Sequence, residues 1–537
     1  MSAVSRPSPR AAVALGLAAS LALAACSGGN SATTSSADGG DGAGSASSTL
    51  VIDTAFSLET GDPGRNYVPT GNMVLHAVYD TLLTFEGSEE EEPVPSLATM
   101  EQNEDATEFT FTLTGERTFS DGSVVDADDV VFSLNRVQGM TDSKANFLMN
   151  GITVEKVDDI TVMLSTETPS LQLPAIVTNP ALSILNSEVV TENGGTTGTD
   201  DDAESFLNST SVGSGPYLLD AMDITTQAVL VPNPEYNGAY EPAFERIVVR
   251  NVSESATQLI NLQGGDSNLA VDLNGDQVSG LGEEFAVTAE PSAETIFLLI
   301  NQDEEVGGVT ANPDFAEAVR YALDYDALLE LAGEGSVEAT GVIPPIFLGA
   351  LEAGVEQDLD RAEQALQASG YDGEPIRLQF PNDTPVGGVE FTPLAERVQS
   401  QLQAAGITVE LAPAPFATEI DPYVNGEEAF GLWYWGPDFA DSSSFLPFGP
   451  GEKVGLRSGW TTEDAPEIAE LVRTATSATS VEEREQAMTD YATAMQESGP
   501  FVPLIVPGAN LASDATVTNV HYNSTWTLDI PLLAPAG

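Results

Sequence analysis

Apolar and polar positions alternate in several short segments of this chain and recur at helical spacing in others. Residues 50–55 form a short apolar stretch that predicts a strand. Over residues 72–83, Val74, Leu75, Val78 and Leu82 fall at helical spacing and predict an amphipathic helix. Residues 108–113 set Phe109, Phe111 and Leu113 against Glu and Thr, the two-residue period of a half-buried strand. The turn signal Asp121-Gly122 follows. Asp126 is then the expected N-cap of a helix with Val130, Leu134 and Val137 on one face. Asp129 stands where a full capping box has Glu or Gln. Residues 185–215, rich in Gly, Thr, Asp and Ser, read as loop, and Gly213-Ser214-Gly215-Pro216-Tyr217 leads into another strand pattern.

The later half changes character. Residues 376–380 alternate as a strand. Leu394, Val398 and Leu402 mark a helix over 394–405, stopped by Gly406. Residues 407–411 alternate again. Strand, helix, strand is a βαβ unit, so a mostly parallel sheet is expected here. A short helix near 418–424, interrupted by Pro422, precedes a strand over 429–435 that runs straight into Gly436-Pro437-Asp438. The tract 89–92 is four glutamates in a row and reads as a solvated acidic loop.

Length, 537 residues with 42% hydrophobic content, allows several sizeable cores. Charge adds an exclusion. The chain carries 83 Asp plus Glu against 17 Lys plus Arg, a formal charge of -66, and such a surface repels nucleic acid and anionic lipid. The only Cys is Cys26, and the two His are His76 and His521. A disulfide framework, a Cys-rich zinc site and an iron–sulfur cluster are thereby excluded. His76, alone on its predicted helix, reads as a packed or surface residue.

The first 25 residues carry Arg6 and Arg10, then an apolar run over 11–25 that is shorter than the roughly 20 residues a bilayer crossing needs. They read as a secretory signal. Its end, Leu23-Ala24-Ala25-Cys26, resembles the bacterial lipobox, which implies lipidation of Cys26. Residues 26–49, mostly Ser, Gly, Thr, Ala and Asp, read as a flexible tether.

Chemistry is sparse. No Gly-x-Ser-x-Gly elbow is present, and Gly449–Gly455 fails as a phosphate loop because Val454 follows Lys453. Asp272, Asn274, Asp276 and Glu283 have calcium-loop spacing, but Gln277 replaces the turn glycine. No catalytic residue, cofactor or metal is expected. The sharpest local signal is residues 430–438. Ligands of open α/β sheets sit beyond the carboxyl ends of strands, and Trp435 ends a strand three residues before Asp438. An indole beside a carboxylate can hold a cationic amine. From spacing alone a second reading stands equally: Trp433 and Trp435 as core aromatics, and Asp438 as the cap of the next helix.

The stretch 111–122, continuing over 125–136 as Val-Asp-Ala-Asp-Asp-Val-Val-Phe-Ser-Leu-Asn-Arg, resembles the signature of the extracytoplasmic solute-binding proteins of the peptide/nickel ABC importers, family 5. Tyr79-Asp80-Thr81-Leu82, Gly213 to Tyr217 with Pro232-Asn233-Pro234-Glu235-Tyr236, Val319-Arg320-Tyr321-Ala322-Leu323-Asp324, and Trp435 to Asp438 with Phe445-Leu446 are similar to further family elements, in the expected order over nearly the whole chain.

This resemblance implies an α/β, two-lobed periplasmic-binding-protein-like fold of type II with an inserted subdomain. Lobe 1 is expected over 50–300 with the insertion at about 88–210, lobe 2 over 301–503, and a return to lobe 1 over 504–537. It implies a monomer, lipid-anchored on the outer face of the membrane, that captures di- or oligopeptides and delivers them to ABC permease and ATPase subunits. The position matching Asp438 pairs with a ligand amino terminus in peptide-binding relatives, and Trp435, Tyr434 and Gly436 fall at the pocket wall. Dipeptide binders carry an Arg after the strand matching 376–380, where this chain reads Pro385-Val386-Gly387-Gly388-Val389. Arg65 is the expected substitute anchor for a ligand carboxylate. A nickel chelate, a sugar or an opine is the alternative solute, and an extracellular peptidase the alternative class.

Overall fold

The computed structural model describes residues 49–537. The signal segment, Cys26 and nearly all of the tether lie outside the described residues.

Two large sheets organise the body. The first has seven strands in the order Phe285–Pro291, Gly508–Asp514, Leu269–Ala270, Thr49–Thr54, Arg246–Asn251, Gln227–Pro232 and Tyr217–Asp223. The second has six, in the order Val337–Glu338, Phe501–Val506, Thr295–Ile300, Phe430–Trp435, Ile376–Pro381 and Val409–Ala414. A smaller antiparallel sheet of four strands, between residues 98 and 166, lies in the segment expected as the insertion. Its Phe109, Phe111, Val162 and Leu164 pack against Val130, Leu134 and Val137 of the helix Ala127–Gly139. Asp126 caps that helix, and Asp129 closes the capping box in place of Glu or Gln.

The second sheet is buried on both faces. Every residue of Thr295–Ile300 is buried, because alternate side chains serve two cores. Ile296, Leu298 and Ile300 pack with the helices Pro313–Ala322 and Phe391–Ala404. Phe297 and Leu299 pack with Phe448, Phe501 and the helices Pro466–Ser477 and Val481–Ser498. The expected βαβ unit is present, with Ile376–Pro381 parallel to Val409–Ala414 and to Phe430–Trp435. The sheet as a whole is mixed, however, since Thr295–Ile300 pairs antiparallel with both of its neighbours.

That strand also moves the expected lobe boundaries. Thr295–Ile300 and Phe501–Val506 both belong to the second sheet, so the chain leaves the first sheet after Pro291 and re-enters it at Gly508. The two crossings run side by side, with the Ser292 N–H donating to the Pro507 carbonyl at 2.8 Å. A strand apolar from Ile296 to Ile300 is stable in the middle of a covered sheet, which is why it starts the second lobe rather than ending the first.

Other expectations shift locally. The helix expected over 72–83 is Pro69–Val78, and Leu82 lies beyond it. His76 is packed on this helix, stacked on Trp526 with ring centroids 3.8 Å apart. The segment 185–215 holds two short helices, Ser187–Glu192 and Glu204–Leu207. The acidic tract is part of the strand Glu89–Pro95, and Glu90 is tied down, accepting from the Ser524 N–H at 2.6 Å. In the calcium-like spacing, Asn274 caps the helix Gly275–Ser279, and Asp272 accepts from the Ala55 N–H at 2.7 Å. Three of the family-like motifs knit together. Asp80 accepts from Arg117 at 2.6 Å and from the Ser214 hydroxyl at 2.8 Å. Gly215 lies so close to the chain at Val78 that a Cβ there would fall 2.5 Å from its carbonyl carbon.

Candidate functional site

A cleft of about 670 Å³ opens between the two large sheets, the size of a small-molecule site. The first sheet and its loops contribute Tyr67, Asn72, Asp272 and Asn274. The second contributes Tyr434, Gly436, Asp438 and the 383–390 loop. The crossings supply the floor, with Glu294 after one and Asn510 after the other. Gly388 is one point where the two halves approach closely. It sits at φ +80, and a Cβ there would lie 2.5 Å from Cβ of Asn274.

Asp438 lies at the junction. The Tyr67 hydroxyl donates to its Oδ1 at 2.5 Å, and the Asn179 amide donates to its backbone carbonyl at 3.3 Å. Tyr67 and Asn179 belong to the first lobe and its insertion, so Asp438 is held from across the cleft. Burial, with Asp438 adding to it, raises the Tyr67 phenol far above its ordinary range, so Tyr67 remains a donor. Asp438 does not cap the following helical turn, Ser442–Phe448. Asp441 does that, accepting from the Ser443 N–H at 2.8 Å.

Tyr434 and Gly436 line the cleft, and Trp435 is not among the lining residues. The reason is strand alternation. Tyr434 faces one side of the sheet, near Phe391. Trp433 and Trp435 face the other, where Trp433 stacks on Tyr423 and Trp435 meets Phe448 edge-on at 5.8 Å. The Trp435 indole N–H is already given to the Ser444 carbonyl at 2.9 Å. The aromatic of this pair that faces the cleft is therefore Tyr434.

Arg65 does not line the cleft either. Its guanidinium reaches Asp62 at 2.8 Å, Asp201 at 2.7 Å and Asp142 at 3.3 Å. Fully buried Arg136 completes this network, with Asp62 at 2.6 Å and Asp201 at 2.7 Å. Burial works against both cations, but the paired carboxylates outweigh it and raise the two guanidinium groups above the ordinary arginine value. Arg65 is thus a structural residue, and the substitute anchor expected of it is not in the cleft. No group of three or more metal-ligating side chains occurs among the described residues.

Sequence reasoning did not single out Tyr67, Glu294 or Asn510. None stands in a motif, and each reaches the cleft through a contact between distant parts of the chain. The one local signal was Glu294 itself, a carboxylate just before the strand Thr295–Ile300, which is apolar from Ile296 onward.

The fold agrees with the comparisons. The chain is 27% identical over 489 residues to the Escherichia coli K12 protein described as "Probable D,D-dipeptide-binding periplasmic protein DdpA", covering 88% of this chain and 91% of that one. The crystal structure of the ABC transporter substrate-binding protein CtaP of Listeria monocytogenes superposes with a TM-score of 0.79 at 18% identity, over 91% of this chain and 99% of that one. DppA of Helicobacter pylori, solved with the peptide STSA, superposes with a TM-score of 0.72 at 20% identity, over 91% and 98%. Residues 92–452 match the family model of the bacterial extracellular solute-binding proteins, family 5 (middle). The chain belongs to the bacterial extracellular solute-binding proteins of family 5, a family of binding proteins and not of enzymes.

Proposed function

We propose that this protein captures short peptides bearing a free amino terminus and presents them to the permease and ATPase subunits of an ABC importer. It does so as a monomer held by a lipid on Cys26 to the outer face of the membrane. No helix among the described residues is long and apolar enough to cross a membrane, so in this reading the anchor alone holds the body there. The observation that carries the reading is Asp438. It is a carboxylate in a cleft of about 670 Å³, held from the opposite lobe by Tyr67. A ligand ammonium group placed against it makes a charge-assisted hydrogen bond, and closure is favoured because only the closed form touches the ligand from both sides. Tyr434 and the strand ends around it offer a wall and backbone groups for an extended peptide. The relatives described as dipeptide- and peptide-binding support the same ligand class.

Native mass spectrometry of the purified protein, followed by calorimetry with free and N-acetylated forms of the same peptide, tests this. A bound peptide and at least about a tenfold preference for the free amine are the expected results. Equal affinity for the acetylated form removes Asp438 as an amine partner. A non-peptide amine is the second reading. It is favoured by the lack of any Lys, Arg or His among the described residues lining the cleft, where a peptide carboxylate would be paired.

A further inference from the structure

The charged side chains that line the cleft are Glu254, Asp272, Glu294, Asp383, Glu390 and Asp438, every one an acid. The chain has 17 Lys plus Arg, and the well-placed ones are committed elsewhere. Arg136 and Arg65 serve Asp62 and Asp201, Arg250 serves Asp53, and Arg117 serves Asp80.

The six acids are not equivalent. Asp272 is satisfied by the Thr54 hydroxyl at 2.9 Å, the Ala55 N–H and the Gln258 amide at 3.0 Å. Asp383 accepts from the Phe416 N–H at 2.7 Å. Glu254 and Glu390 are exposed at the rim. Asp438 has Tyr67. Glu294 stands apart, because it is half-buried on the floor and its carboxylate has no hydrogen-bond or ion-pair partner among the described residues. Burial alone lifts its carboxyl to about 7. It lies against Gly436, where a Cβ would come within 3.3 Å of its Cγ, and Gly436 is two residues from Asp438.

A second unpartnered group shares that floor. Asn510 is 2% exposed and lines the cleft, yet neither its Nδ2 nor its Oδ1 has a partner among the described residues. A buried primary amide with both ends free is costly unless a ligand supplies a donor and an acceptor, and a peptide group supplies both. An unpaired carboxylate in the same cleft is relieved by a cation.

We propose that the cleft selects cationic ligands, with Asp438 taking the terminal amine, Asn510 a peptide group, and Glu294 a second positive charge such as a lysine or arginine side chain. This deepens the peptide-binding reading and rests on it. A ligand carboxylate drawn into the same space meets carboxylates and no positive side chain, so acidic peptides are rejected by repulsion as much as cationic ones are attracted.

Calorimetry on the full-length protein with Ala-Lys-Ala, Ala-Gln-Ala and Ala-Glu-Ala, each as the C-terminal amide, tests this. The lysine peptide is expected to bind about tenfold or more tighter than the glutamine peptide, with the glutamate peptide weakest. Glu294→Gln keeps the neutral shape of the side chain, and should bring the lysine and glutamine peptides to within about twofold of each other. Equal affinity of the three peptides for the parent protein overturns cation selection and leaves peptide binding intact. An undiminished lysine preference in Glu294→Gln overturns the role of Glu294. If no peptide binds, lysinamide and spermidine decide: their binding keeps cation selection and ends the peptide reading, and their failure ends both.

Discussion

The phenol of Tyr67 and the carboxylate of Asp438 meet across the cleft at 2.5 Å, joining two residues that the chain separates by 371 positions. Tyr67 comes from the first lobe, where its ring packs edge-on against Phe147 with centroids 5.3 Å apart. Asp438 comes from the loop after a strand of the second lobe. In the proposed binding cycle, opening the cleft breaks this hydrogen bond, so it would orient the acid and reward closure together.

Removing either end has a distinct expected effect. Asp438→Asn should weaken binding of free-amine peptides by about 2–5 kcal/mol, the range for losing one partner of a buried charge pair. Tyr67→Phe keeps the charge and should cost about 1–3 kcal/mol, the value of a hydrogen bond to an ionised group. Calorimetry with one free-amine peptide measures both. Unchanged affinity in Asp438→Asn would remove this acid from the site.

Trp435 carries the opposite expectation. Its indole packs against Phe448 and is bonded to Ser444 within its own lobe. Trp435→Ala should lower unfolding free energy by about 3–5 kcal/mol. Ligand affinity of the folded fraction should stay within about twofold, since the side chain does not line the cleft. A large loss of affinity without loss of stability contradicts this placement.

Gly388 brings the lobes into close approach, at φ +80 and with no room for a Cβ beside Asn274. Gly388→Ala should strain the loop by about 1 kcal/mol and hold the lobes apart, so affinity falls by about tenfold or more. Small-angle scattering checks the mechanism. The parent should contract on ligand addition, and the variant should contract less or not at all.

Stability should fall as pH rises from about 5 to 8. Glu428 is 1% exposed, its Oε2 accepts from the Trp433 indole at 2.6 Å, and its Oε1 has no partner. Burial, with Glu419 adding to it, pushes its carboxyl from 4.5 up to about 8. Below 4.5 both states are protonated. Between 4.5 and 8 the unfolded chain releases the proton while the folded chain keeps it, so each step upward in pH favours unfolding, and the loss is complete above about 8. Glu90 and Glu294, both lifted to about 7 chiefly by burial, act in the same direction. Melting curves across this range should show the decline, and Glu428→Gln should flatten it. An identical slope in that variant would exclude Glu428 as a source.

Much of this protein was legible from local pattern. The strand over residues 108–113 has the bounds expected from its alternation, and Asp126 caps the helix that was expected to follow. These features depend on residues within a turn or two of one another, and the period of apolar positions reports them directly. The motifs spread from Tyr79 to Leu446 carried the family and its two-lobed fold, because each marks a junction that the fold requires. Asp80, Arg117 and Ser214 are one such junction.

What local pattern did not decide was direction and company. Alternation makes Tyr434 and Trp435 face opposite sides of one sheet, but which side meets the cleft depends on where the other lobe sits. Arg65 has Asp62 three residues away in the sequence, and only folding adds Asp142 and Asp201. Glu294 and Asn510 lie more than 200 positions apart and come to line one cleft because two crossings of the chain are hydrogen-bonded side by side. Hydrophobic period is a property of neighbours along the chain, whereas the charge and shape of a cleft belong to groups that tertiary packing alone brings together.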